Sequence, residues 1–96
     1  MIEEFLAACE EFASYPQDIV WGEIDLDGFS YIDTITRGSG RWMEYKWSVF
    51  DHDGQYIAVE WASGLTEDQE DEVEISRFNV FEVQPFDFIK ISFRKV

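Results

Sequence analysis

The chain has 96 residues, 46% of them hydrophobic and 18% aromatic, and its 21 acidic residues against 7 Lys and Arg give a formal net charge of −14. This length predicts one domain over residues 1–96, and the apolar content excludes a disordered chain. With one Cys and one His the chain can build neither an internal disulfide nor a Cys/His zinc cluster, and its short apolar runs exclude a membrane-spanning helix.

An N-terminal helix over about residues 2–14 is the first predicted element. Its apolar residues recur at the spacing of three and four that marks one helical face, and Pro16 follows the run. These residues are Ile2, Phe5, Leu6, Cys9, Phe12 and Ala13. We expect Cys9 to be a small buried side chain, because a reactive thiol would need positive charge nearby.

From residue 19 the apolar period changes to two, which is typical of strands. Residues 19–27 predict a first strand, and Asp27-Gly28 is a hairpin signal. Further strands are predicted at residues 29–36, 41–50 and 55–61, around 73–83 with β-bulges, and after Pro85 over 89–94. This order predicts an α+β domain in which one N-terminal helix packs on a twisted antiparallel sheet of five or six strands. A small open barrel is the alternative.

The charges are segregated along the chain. Residues 1–36 carry nine acids and residues 47–76 carry nine more, and neither stretch contains Lys or Arg. Opposite-charge pairs that would stabilise a helix or a sheet locally are therefore largely missing. We expect the folded molecule to be polarised.

One acidic row is predicted in the first strand. Glu23, Asp25 and Asp27 would point outward from alternate positions, about 6.6 Å apart, which is comparable with the spacing of successive backbone phosphates. The same residues resemble the first half of an EF-hand loop, but Thr34 stands where the bidentate Glu should be. We predict no metal site here.

A second acidic block is the sequence GLTEDQEDEVE at residues 64–74. Thr66 and Gln69 have the spacing of a capping box, which predicts a short helical turn. The block is either a solvated loop that protects the strand after it, or part of an acidic face that docks into a basic protein groove. That face would also contain the Glu23 row and the helix carboxylates. Its candidate contact residues are Glu67, Asp68, Glu70, Asp71 and Glu72.

Trp21 and Trp42 fall on the polar phases of their predicted strands. They are candidate partner-binding residues, because Trp dominates interface hot spots, unless another part of the fold covers them. Asp51-His52-Asp53-Gly54 contains the one histidine, but Asp and Gly also suit a simple turn. With no second His, no glycine-rich phosphate loop and no serine beside an obvious base, we predict a non-enzymatic protein without a cofactor.

The order Trp42, Val49, an Asp-Gly turn, Tyr56, Val59 and then LTEDQE resembles a block in small uncharacterised acidic proteins of bacteriophages, over about residues 41–72. Such proteins resemble, as a class, inhibitors that mimic nucleic acid against restriction, CRISPR or repair machinery. The resemblance implies a protein of the infected bacterial cytoplasm that inhibits a basic, nucleic-acid-binding host protein and binds neither nucleic acid nor membrane itself. The alternative is a structural or assembly module that forms a homodimer or binds a partner through an exposed sheet edge and aromatic residues.

Overall fold

The computed structural model describes residues 1–65 and 70–85. Its elements are α1 (Ile2–Glu10), α2 (Pro16–Val20), β1 (Ser30–Ser39), β2 (Met43–His52), β3 (Gln55–Gly64) and β4 (Val80–Val83). The strands form one open antiparallel sheet in the order β1-β2-β3-β4, which confirms the predicted α+β class with an N-terminal helix. In the described part of the chain, no helix is long and apolar enough to cross a membrane.

The hairpin of β2 and β3 forms the regular centre of the sheet, and its ten residue pairs run without a register shift. Its two-residue turn places Asp53 and Gly54 at φ angles of 52° and 86°. This pair of left-handed residues is what a type I′ turn requires. The Asp51 carboxylate accepts a hydrogen bond of 3.0 Å from the Gly54 N–H, which explains why the turn sequence is acidic.

Both helices and the loop that follows them lie on one face of the sheet, over the main core. In α1, Phe5 and Cys9 are four residues apart, so they share the buried side of the helix. The Phe5 ring lies 5.1 Å from both Phe29 and Phe50, centroid to centroid. The buried residues of this cluster are Phe5, Cys9, Ile19, Val20, Leu26, Phe29, Phe50, Ile57, Val59, Trp61 and Val80.

The opposite face of the sheet carries a second, smaller apolar cluster. Val49, Ala58 and Val83 are buried there, and partly buried side chains including Trp47 and Phe81 pack around them. Neighbouring residues of β2 and β3 are therefore buried on opposite faces, which explains the continuous apolar runs in these strands.

The predicted first strand at residues 19–27 is wrong. Pro16 stands at the first turn of α2, where its fixed φ favours a helix and its missing N–H costs nothing. Gly22 then adopts a φ of 76°, and its N–H donates to the Ile19 carbonyl at 3.1 Å. A left-handed glycine of this kind ends a helix.

Residues 23–27 follow α2 as turns rather than as a strand. Their exposure does alternate, with Ile24 half-buried and Leu26 buried between exposed acids. The backbone makes only an isolated bridge between Leu26 and Phe29 within the described residues. A period-two pattern of burial thus arises here from a loop that turns its apolar side chains toward the core.

Other predicted boundaries also change. The N-terminal helix ends at Glu10, and turns follow at residues 11–14. In the segment predicted as a bulged strand at 73–83, only β4 is a strand. The described residues contain four strands, and the strand predicted at 89–94 and the helical turn at 66–69 lie outside them.

Candidate functional site

The helical side of the sheet is strongly acidic. Residues 1–29, which cover this face, contain eight carboxylates and no Lys or Arg. Seven of these side chains are exposed, and we call them the acidic layer: Glu3, Glu4, Glu10, Glu11, Glu23, Asp25 and Asp27. Five apolar residues between them are buried in the core, and their burial directs the neighbouring acids outward: Phe5, Cys9, Ile19, Val20 and Leu26.

The acids of α1 form two pairs on the side of the helix that faces away from the core. Glu3 and Glu4 precede Glu10 and Glu11 by seven residues, which is two helical turns or roughly 10.5 Å. Glu10 is the last residue of the helix and Glu11 is its C-cap, and the last turn contains no basic residue. The helix dipole disfavours negative charge at that end, so the second pair lowers the stability of α1.

The two pairs differ in their contacts with basic side chains. Arg77 Nη2 donates to Glu3 Oε1 at 2.7 Å, and Glu4 lies 3.9 Å from His52 Nε2. Both glutamates are highly exposed, so these contacts contribute little to stability. Glu10 and Glu11 form no ion pair with any base in the described part of the chain.

The loop acids Glu23, Asp25 and Asp27 remain exposed, although they do not form the predicted row along a strand. Next to them, the Gly28 carbonyl accepts a 2.7 Å hydrogen bond from His52 Nδ1. This contact holds the loop against the β2–β3 turn. Glu23, Asp25 and Asp27, which form the first acidic block, therefore lie at the same end of the sheet as Glu4.

The second acidic block lies at the opposite end of β3. Glu72 forms an isolated bridge with Ala62, and the Asp71 carboxylate accepts a hydrogen bond from the Gly64 N–H at 3.2 Å. Glu70 and Glu72 are exposed and Asp71 is half-buried, while the predicted contact residues Glu67 and Asp68 lie outside the described residues. Seven residues of β3 separate Ala62 from the turn, which is about 24 Å of strand.

The structure connects the two blocks through α1. Glu4 contacts His52 at the turn end, whereas Glu10 lines the same cleft as Glu74, two residues after Glu72. The carboxylates of α1 therefore lie between the turn end of the sheet and the segment that follows Glu72. The sequence predicted an acidic face made of both blocks and the helix carboxylates, but it did not predict how these groups are arranged in space.

A cleft of about 710 Å³ opens within this acidic side, between α1 and residues 73–77. Its floor includes Cys9 and Ile19, which are 4% and 1% exposed. Burial raises the pKa of the Cys9 thiol to about 12, so the thiol is protonated and unreactive at neutral pH. This confirms the predicted role of Cys9 as a buried apolar side chain.

The two candidate aromatic anchors are both accessible. Trp21 at the C-terminus of α2 is 45% exposed, and Trp42 in the β1–β2 turn is 53% exposed. The Trp42 carbonyl accepts a 3.0 Å hydrogen bond from Leu65, and the Arg41 guanidinium lies 5.1 Å from the Trp42 ring. Trp42 therefore belongs to the end of the sheet that holds Asp71, and Trp21 belongs to the helical side.

His52 makes two structural contacts through its ring. The ring stacks on Phe29 at 4.5 Å, in addition to its bond with Gly28. Its neighbours Asp51 and Asp53 serve the turn geometry. Within residues 1–65 and 70–85, no group of three or more His, Cys, Asp or Glu side chains is arranged to hold a metal ion.

Sequence reasoning missed the cleft, since it predicts Val73 and Ile75 in a strand and not in a wall beside α1. It also missed the contact between Arg77 and Glu3, which are 74 residues apart. Comparisons of the chain with protein-family models, with curated proteins and with solved structures found no match.

Proposed function

We propose that this chain is a non-enzymatic, phage-type inhibitor that binds a basic, nucleic-acid-binding protein of its bacterial host. Its acidic layer would occupy the groove in which that protein holds nucleic acid. The observation that carries this proposal is the exposed charge on the helical side. Five acids of the layer have no ion-pair partner among the described residues: Glu10, Glu11, Glu23, Asp25 and Asp27.

The physical basis is the way in which proteins bind nucleic acid. Lys and Arg contact the phosphates and release counterions, so an ordered array of carboxylates can compete for the same side chains. A surface of one sign also attracts an oppositely charged partner over a distance and speeds association at low salt. The acidic layer offers these charges on a packed scaffold of one helix and one tethered loop.

The position of the charges also supports a binding role. Glu10 and Glu11 lie where the helix dipole opposes them, and a net charge of −14 exceeds the magnitude of about 2 to 8 that suffices for solubility of a small domain. Their placement lowers local stability without a compensating contact within the described residues. A requirement outside the fold, such as a basic partner, accounts for that placement.

The test is capture of host proteins from bacterial lysate with the tagged chain, washed at about 50 and 200 mM salt and with or without duplex DNA as competitor. We expect a nucleic-acid-binding protein whose retention falls at least about tenfold at the higher salt and which duplex DNA displaces. A captured protein that is indifferent to both salt and DNA would contradict the proposal.

Matched variants then locate the contact. Glu10→Gln with Glu11→Gln, and separately Glu23→Gln with Asp25→Asn, each remove two negative charges from the acidic layer. The control is Asp33→Lys, which changes the net charge equally but lies opposite Val49 on the other face of the sheet. Both layer variants should weaken binding to the captured protein more than the control, and equal losses would mean that no defined face is used.

A second function has one specific observation in its favour. Trp42, Tyr45 and Leu65 are 53%, 48% and 46% exposed and lie together at one end of the sheet. This group is a candidate contact surface for an assembly module that forms a homodimer. Sedimentation at high protein concentration tests it, because a dimer that persists in high salt and dissociates on Trp42→Ala would favour assembly over charge mimicry.

A further inference from the structure

The cleft between α1 and residues 73–77 has an apolar interior. Its volume of about 710 Å³ is within the range of roughly 300 to 1,000 Å³ that is typical of ligand sites. Cys9 and Ile19 form a buried floor, and the walls come from two separate segments, α1 with the turns after it and residues 73–77. The apolar wall residues are Leu6, Ala7, Ala13, Pro16, Val73 and Ile75.

The rim of the cleft is charged, and its charge is predominantly negative. Glu3, Glu10 and Glu74 line it together with Arg77. The Arg77 guanidinium is bound to Glu3 at 2.7 Å, which leaves Glu10 and Glu74 as the charges that face a ligand. An anionic ligand would be repelled by this rim, whereas a cationic one would be attracted.

Two residues on the solvent side of the cleft, one in α1 and one in the turns after it, are small and accessible. Ala7 and Ala13 are both exposed and both line the cleft. A partner can therefore approach α1 closely from this side. Side chains inserted there would contact Val73 and Ile75, which are only half-buried by the chain itself.

We infer that this cleft binds the apolar stripe of a basic amphipathic helix of the partner protein, with Lys or Arg on either side of the stripe facing Glu10 and Glu74. An apolar groove beside complementary charges matches the way in which grooves bind helices through residues at i, i+3, i+4 and i+7. The inference rests on the proposed function, because it names the chemistry of the partner that the acidic layer attracts. It also adds a specific requirement, since charge alone is then insufficient for tight binding.

Two labelled peptides test this inference by fluorescence anisotropy. Both are lysine-rich helical peptides of about 14 residues with the same charge, one with Leu at i, i+3, i+4 and i+7 and the other with Ala at those positions. We expect the Leu peptide to bind at least about tenfold more tightly, since each Leu side chain that enters the cleft leaves water. The preference for Leu should be retained at a salt concentration that weakens both peptides.

A variant that fills the cleft provides the second measurement. Ala7→Trp places a large side chain in the cleft without changing the charge, and it should reduce the affinity for the Leu peptide to nearly that of the Ala peptide. Ser14→Trp is the control, because Ser14 is exposed and does not line the cleft. Circular dichroism checks the fold of each variant, and Ala13→Trp replaces Ala7→Trp if the latter unfolds.

The outcomes separate this inference from the proposed function. Equal binding of the Leu and Ala peptides, or a Leu preference that survives both cleft-filling variants, would overturn the role of the cleft and leave the acidic layer intact. Binding of the Leu peptide that does not weaken with salt, together with a Leu preference that is lost on Ala7→Trp, would keep the cleft and contradict the electrostatic mechanism. If neither peptide binds, both proposals fail.

Discussion

The indole of Trp61 donates a hydrogen bond to Ser48 Oγ at 2.9 Å in the interior of the protein. The Ser48 hydroxyl donates in turn to the Val20 carbonyl at 2.6 Å. Thr34 Oγ1 lies 3.0 Å from Ser48 Oγ and must be the donor in that contact, because the Ser48 hydrogen points to Val20. One fully buried hydroxyl thus joins three strands to the end of α2.

Removing this hydroxyl should destabilise the fold. Ser48→Ala removes the hydrogen-bond acceptor of the Trp61 N–H and the donor to the Val20 carbonyl. The Thr34 hydroxyl, 3.4 Å from the Val20 carbonyl oxygen, compensates only weakly. We expect the free energy of unfolding to fall by about 2 kcal/mol or more in urea denaturation. Ser39→Ala, at an exposed position of β1, should change it by less than about 0.5 kcal/mol. Similar losses in the two variants would contradict a structural role for the buried network.

Gly22 is required by both its backbone angle and its neighbour. A Cβ at this position would lie 2.5 to 2.9 Å from ring atoms of Tyr31, and the φ angle is 76°. Gly54 has a similar φ of 86°, but a Cβ there would meet no atom within 4 Å. Gly54→Ala should therefore lose about 1 to 2 kcal/mol through backbone strain, and Gly22→Ala about 1 to 3 kcal/mol more through the clash. Thermal and urea unfolding of the two variants measure the difference, and equal losses would mean that the Tyr31 ring moves aside freely.

The buried thiol of Cys9 makes stability depend on alkaline pH. Its pKa is raised by burial from 9.0 to about 12, so between these values the unfolded chain loses this proton and the folded chain keeps it. Ionisation then favours the unfolded state, and the contribution is absent below about pH 9 and grows as the pH rises toward 12. At pH 10 the wild type should lose about 1 kcal/mol more stability, relative to pH 7, than Cys9→Ala does. Parallel pH profiles for the two proteins would show that Cys9 ionises equally well in both states.

The sequence predicted the central hairpin correctly because local chemistry determines it. Asp53-Gly54 satisfies the turn, and the β-branched and aromatic residues of β2 and β3 favour extended backbone. The prediction of a strand at residues 19–27 failed because alternating burial does not require extended backbone. Pro16 and Gly22 bracket a short helix instead, and the loop after it alternates only in burial.

The candidate site was predictable as charge and not as geometry. The absence of bases before Arg37 can be read from the sequence. The sequence left open whether Trp21 and Trp42 are exposed or covered, and the structure exposes both. The cleft depends on residues 73–77 packing beside α1, a contact across about 70 residues that no local pattern specifies. The ion pair between Arg77 and Glu3 could not be predicted either, because the sequence shows that Arg77 is basic but not which acid it contacts.

Glu10 and Glu11 provide a prediction in which stability and binding change in opposite directions. Replacing both with Gln removes two charges from the C-terminal end of α1, where the dipole and the overall negative charge oppose them. The free energy of unfolding should rise by about 0.5 to 1 kcal/mol at low ionic strength, while affinity for a basic partner falls.

Glu3→Gln is the matched control at the other end of the same helix. Glu3 lies in the first turn and binds Arg77, so its loss should lower stability by a few tenths of a kcal/mol. Urea denaturation at low salt and at about 1 M salt measures both effects, and the higher salt should largely remove them. If the Glu10/Glu11 variant is instead less stable than the wild type, these carboxylates stabilise the fold. Their position would then no longer be an argument for a basic binding partner.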